Sequence, residues 1–201
     1  KHIVLAIGHS ARDTFQALLD QGVYIEAKPF SIGFRIEHPQ SVIDQARFGK
    51  SAGHPILGAA EYKLVHHCKN DRSVYSFCMC PGGFIVPSAT APGEIVVNGM
   101  SPSRRDSAFA NSGIVVAVEE DDFKDFRQYQ ALAGMYFQRA VEQKASLVGG
   151  GTQRAPAQRL VDFVEGKIST TLPDTSYQPG VYPADLKEVL PALIVKSLQQ
   201  G

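Results

Sequence analysis

Apolar and polar positions fall into three textures along the chain. Residues 2–7 (HIVLAI) are a continuous apolar run rich in β-branched side chains, the pattern of a strand covered on both faces. Gly8, His9 and Ser10 follow as a small-residue turn, and residues 13–21 carry apolar positions at helical spacing until Gly22 closes them. Strand, tight turn and helix in that order predict the opening of an α/β unit. From residue 23 the segments become short. Residues 24–29, 31–37, 62–67, 74–80, 84–87, 95–99 and 113–118 read as strands separated by Asn, Asp, Gly and Pro turns, with a brief helix over 41–48 and a loop over 49–60. The last third is helical in period. Residues 126–147 place Leu132, Tyr136, Phe137 and Val141 on one face. A shorter helix is predicted over 157–164, closed by Gly166, then a proline-bearing loop over 170–183. The final helix, 185–200, must kink or break at Pro191.

The pattern predicts an α+β fold: a curved, mainly antiparallel sheet or barrel with packed helices, plus a short α/β remnant at the N-terminus. The 201 residues suffice for one large domain, or a domain with a flanking piece. Lys+Arg and Asp+Glu are both 20, so the chain lacks the cationic surplus that binding to nucleic acid or an anionic membrane requires. No apolar run approaches the ~18 residues of a membrane span, and nothing resembles a signal peptide. The three cysteines, Cys68, Cys78 and Cys80, are odd in number with two only two apart. That is no secreted disulfide framework, and it points to a reducing, cytoplasmic setting. Lys1 is no natural start, and the last helix runs straight to Gly201, so both ends read as those of an excised segment.

Three segments carry candidate chemistry. In Gly8-His9-Ser10-Ala11-Arg12-Asp13 small residues admit close backbone approach, and the helix that follows offers free N–H groups to an anion. Ser10 or Asp13 capping that helix explains the same residues. His9 is placed to act as a base beside a cofactor. In Cys78-Met79-Cys80-Pro81-Gly82-Gly83 the thiols fit a redox pair, a nucleophile, a metal site or plain burial. The spacing does not match a zinc module even with His66, His67 and Cys68 nearby, and no metal is assigned. Strand alternation puts Cys78 and Cys80 on one face, and Gly82 and Gly83 mark a turn where backbone passes close to something. The third segment, residues 98–112 (NGMSPSRRDSAFANS), holds Arg104 and Arg105 among hydroxyl and amide groups. It suits a clamp on a carboxylate, a phosphate or a ring carbonyl, or a solvated loop. There is no G-x-G-x-x-G after a first strand, and Gly149-Gly150-Gly151 lacks the Lys-Ser/Thr of a P-loop.

Seven stretches together resemble the large bacterial FAD-dependent oxidoreductases described as uncharacterised FAD/NAD-dependent dehydrogenases. They are AIGHSARDTF (6–15), KPFSIGFRIEHPQ (28–40), YKLVHH (62–67), VYSFCMCPGGFIVPSA (74–89), NGMSPSRRDSAFANSG (98–113), GGGTQRAPAQRLVDF (149–163) and YQPGVYPADLKEVLP (177–191), in order along nearly the whole chain. In such proteins the FAD domain is split: a glycine-rich phosphate loop comes early, a large insert interrupts the domain, and a late segment completes the flavin site. The resemblance implies that residues 1–22 are the edge of the FAD domain and 23–201 the substrate-side insert. It places Gly8, His9 and Ser10 near FAD, with Gly82 and Gly83 facing the ring or substrate. Cys78 or Cys80 would be the thiol if one takes part, Arg105 an electrostatic anchor, and His9 a proton relay. The early and late flavin segments are absent from this sequence, so the chain alone is not expected to hold FAD. Its expected partners are a small-molecule substrate and the rest of the parent flavoprotein. The alternative is a non-catalytic module that binds a substrate or partner while chemistry occurs elsewhere.

Overall fold

A computed structural model describes residues 2–201. Its centre is an open four-stranded antiparallel sheet with strand order β1-β6-β3-β2, formed by β1 (Phe30–Pro39), β2 (Val65–His67), β3 (Ser73–Cys80) and β6 (Phe109–Val118). The ten residues of β1 pair in unbroken register with β6, from Phe30 opposite Val118 to Pro39 opposite Phe109. Alternation then sorts the side chains. Phe30, Ile32 and Phe34 join Val74, Val116 and Val118 in the core, and Val116 and Val118 are fully buried. Ser31, Gly33, Arg35 and Glu37 turn to the opposite face.

Helices close the apolar face. A mainly 3-10 segment, Glu120–Leu132, leads into α3 (Ala133–Val148). Phe30, Phe123 and Phe137 form an aromatic knot between sheet and helix, with ring centroids 5.9–6.3 Å apart. Phe34 meets Phe163 of α4 (Leu160–Glu165) edge-on at 5.7 Å. The terminal helix α5 (Ala192–Gln200) buries Ile194 completely, and Pro191 stands immediately before it, where a missing N–H costs nothing. Two small sheets flank this body: the antiparallel pair β4 (Phe84–Pro87) and β5 (Val97–Met100), and the parallel pair β7 (Ala155–Ala157) and β8 (Val181–Pro183). Helix α2 (Gln40–Phe48) follows β1 directly.

The α+β architecture agrees with the sequence reading, but the sheet does not close into a barrel: β1 and β2 are its two edges. Residues 2–7 form no ladder. They run extended and exposed, with Ile3 93% and Val4 89% accessible, because no described strand lies beside them. Residues 24–29 are likewise outside any strand. The last predicted helix is a 3-10 turn (Leu186–Glu188) and α5, separated at Pro191. The predicted 157–164 helix starts only at Leu160, its first residue being used in β7.

Candidate functional site

The N-terminal turn is open. Gly8, His9 and Ser10 are all exposed, and the His9 ring lies 3.5 Å from Ser10 Oγ. The helix behind them, α1 (Arg12–Asp20), is firmly attached. Arg12 reaches Glu94 at 3.2 Å and Glu142 at 2.7 Å, and Arg139 lies 3.4 Å from Glu94. Both glutamates are buried. Burial pushes the Glu142 carboxyl above the ordinary range; Arg12 opposes that rise and the neighbouring Glu94 charge adds to it. Tyr136 of α3 also donates to Gln16 of α1 at 3.0 Å.

The CMCPGG segment departs from simple alternation. Phe77 pairs with Gly113 and Cys80 with Asn111, so β3 carries one residue more than β6 between those rungs. That extra residue is a β-bulge, and Cys78 takes a left-handed φ of +46° there. The bulge puts the two thiols in different settings instead of on one face: Cys78 is exposed and Cys80 buried, and all three cysteines are free. Among the described residues no cluster of three or more His, Cys, Asp or Glu side chains is arranged to hold a metal.

The two glycines after Pro81 have a local cause. Gly82 has φ +51°, and a Cβ there would run into the Arg105 carbonyl. A Cβ on Gly83 would lie 2.5 Å from Met100 O. Ser107 N donates to Gly82 O at 3.3 Å, Ser101 Oγ to Pro81 O at 2.8 Å, and Gly82 N to Gln40 Oε1 at 2.7 Å. What passes close to these glycines is therefore the 100–107 loop of the same chain. Arg105 itself is exposed with φ +52°. The fold thus gathers Cys78, Cys80, Gly82, Gly83 and Arg105 at one end of the sheet. No described hydrogen bond joins them to Gly8, His9 or Ser10.

Residues not singled out by the sequence reading sit beside this cluster. Arg35 Nη1 donates to Asn111 Oδ1 at 2.7 Å and Cys78 O at 3.4 Å, and Nη2 to Asn98 Oδ1 at 3.2 Å. Burial lowers the guanidinium pKa, and the nearby thiols, Cys80 first, act against that. Arg35 lines a cavity of about 350 Å³ that runs against β1 toward α3 and the 155–158 segment. Around the other face, His38 Nε2 lies 3.0 Å from the Tyr62 hydroxyl in a second cavity of about 650 Å³. Burial lowers the His38 pKa and raises that of Tyr62, which holds both neutral near pH 7. The polar alternation of FSIGFRIE was the available sign of Arg35; its convergence with Asn98 and Asn111 depends on pairing across 63 and 76 residues of chain.

Residues 29–201 match the family described as FAD-dependent protein, C-terminal domain-like, and the chain belongs to that family. An uncharacterised protein of Clostridium beijerinckii (strain ATCC 51743 / NCIMB 8052) is 46% identical over 202 residues, which cover 99% of this chain and 37% of that relative. The chain thus spans little more than a third of the curated relative it matches. FAD is the cofactor of the family's name. Space above Gly82 and Gly83 is taken by Arg105 and Met100, and the Gly8–Ser10 turn is open, the apolar run before it forming no ladder. Among the described residues no helix is long and apolar enough to cross a membrane.

Proposed function

We propose that this chain is the substrate-side domain of a dehydrogenase-like FAD-dependent oxidoreductase with a split FAD domain. Residues 1–22 are the edge of the flavin domain, and residues 23–201 are the insert. One observation carries the reading. Helix α1 is pinned to the body by Arg12, Glu94 and Glu142, while the apolar run that feeds it is exposed and pairs with no strand among the described residues. A continuous apolar strand is stable when both faces and both edges are covered. Its sheet is therefore supplied by the rest of the parent protein, and with it the remaining walls of the flavin cleft. Gly8, His9 and Ser10 then lie at the turn where a parallel sheet presents ligands, with His9 as a proton relay. Cys78, Cys80 and Arg105 face the substrate side, Cys78 being the accessible thiol and Arg105 an electrostatic anchor. When bound, FAD supplies the electron transfer, and this chain orients the substrate.

The test is spectroscopic. The full-length protein and this 201-residue chain are purified in parallel, and bound flavin is read from the visible absorbance. A yellow full-length protein beside a colourless chain is the expected result. A colourless full-length protein that binds partners or small molecules favours the non-catalytic module. A chain that reduces a substrate by itself contradicts the division of labour.

A further inference from the structure

Arg35 is a cation with no carboxylate partner among the described residues. Three of the five guanidinium N–H groups are used, on Asn111 Oδ1, Cys78 O and Asn98 Oδ1, and each acceptor is neutral. That leaves Nε–H and one Nη2–H with no oxygen acceptor among the described residues, the Cys80 and Cys78 thiols being the titratable groups nearest the guanidinium. Glu37, two residues along the same face, has its carboxylate turned to Ser176, whose N–H and hydroxyl both donate to it. Glu142 lines the same cavity but is held by Arg12, and Asp174 is exposed. A partly desolvated cation with neutral partners is costly, and an arriving anion relieves that cost.

The partner that holds Arg35 from behind is itself incompletely satisfied. Asn111 is fully buried, and while its Oδ1 accepts from Arg35, its Nδ2 has no hydrogen-bond partner. The Gly99 backbone packs directly against the pair and fixes it. A Cβ on Gly99 would collide with Asn111 Oδ1 and Arg35 Nη1 and would lie 2.9 Å from Cys80 Sγ. Arg35, Gly113 and Phe77 are register partners on three neighbouring strands, so a guanidinium and a phenyl ring flank a position with no side chain. Two strand spacings set them roughly 9–10 Å apart. Ile85, Val97 and Val115 carry the apolar wall onward into the cavity of about 350 Å³, within the usual range of about 300–1,000 Å³ for small-ligand sites.

We propose that Arg35 anchors the carboxylate of a small substrate whose apolar or aromatic body lies over Gly113 against Phe77 and the cavity wall. The planar fork of arginine suits a carboxylate, and the slot admits a planar group. This rests on the reading of the chain as the substrate-side domain and names the class of substrate that domain takes.

The test is calorimetry on the full-length protein with 4-phenylbutanoate and its uncharged analogue 4-phenylbutanamide. The wild type is expected to bind the acid about tenfold more tightly than the amide, the size of one charge-assisted contact. Arg35→Met is expected to abolish that preference, bringing the affinity for the acid down to that for the amide. Arg35→Gln serves in its place if the methionine variant does not fold. Gly99→Ala, which keeps the guanidinium but crowds it, is expected to weaken the acid selectively. Equal affinities for acid and amide in the wild type would overturn the assignment. So would an acid preference that survives both Arg35 variants, or no binding of either probe. Flavin absorbance of the same samples is read separately, so loss of the carboxylate site and loss of the flavin reading are distinct outcomes.

Discussion

Replacing Arg12 with methionine is expected to lower the unfolding free energy by about 3 kcal/mol, the low end of what removing one partner of a buried ion pair costs. The low end applies because Arg139 remains 3.4 Å from Glu94. For a domain of this size that corresponds to a fall of about 6–12 °C in the melting temperature. The loss has a pH signature. Glu142 already has a raised pKa through burial, and removing Arg12 takes away the group that opposes the rise. A carboxyl whose folded pKa lies above its unfolded value stabilises fully below the unfolded value and loses that contribution as pH rises through the folded one. The deficit of the variant is therefore larger at pH 8 than at pH 5, as thermal melts at the two values will show. A deficit independent of pH would remove the buried glutamates from the explanation. The same substitution frees α1, so the turn bearing His9 loses its fixed position relative to the body.

Gly82→Ala is expected to be comparably damaging, at about 3 kcal/mol or more. A non-glycine residue at φ +51° carries about 1–3 kcal/mol of strain. The Cβ also meets the Arg105 carbonyl, a backbone atom that cannot step aside as a flexible side chain does. The 100–107 loop must move, taking with it the hydrogen bonds of Ser101 and Ser107 to the turn. Chemical denaturation of the chain without flavin measures this directly. A large loss there identifies these glycines as sites of chain-on-chain packing. A variant of wild-type stability would mean that the turn is not held by the loop, and would leave close approach of a cofactor as the reason for Gly82.

Much of the fold was visible in local pattern. The strands at 84–87 and 74–80, the helix at 41–48 and the interruption at Pro191 depend on alternation, helical spacing and proline chemistry, all contained within a few residues. What local pattern missed was non-local. The bulge at Cys78 follows from how β3 registers against β6, so a rule of alternation wrongly put the two thiols on one face. The parallel pairing of β7 with β8 joins residues 155–157 to 181–183, each too short to announce a strand. The run HIVLAI was read as a buried strand on composition alone, and composition does not provide the neighbouring strands that bury it. Of the candidate segments, the CMCPGG turn and the loop after Asn98 were singled out in the sequence, and the fold packs them side by side. Arg35 was not, because one arginine in a polar-faced strand is unremarkable until Asn98, Asn111 and Cys78 O are brought to it from two other strands and the bulge.

Hydrogen exchange over residues 2–10, compared between this chain and the full-length protein, bears most directly on the claim that the opening strand is completed from outside. Amides of the HIVLAI run are predicted to exchange rapidly in the isolated chain and to be strongly protected in the full-length protein, where neighbouring strands accept and donate their hydrogen bonds. Rapid exchange in both, or strong protection in the isolated chain, would contradict it.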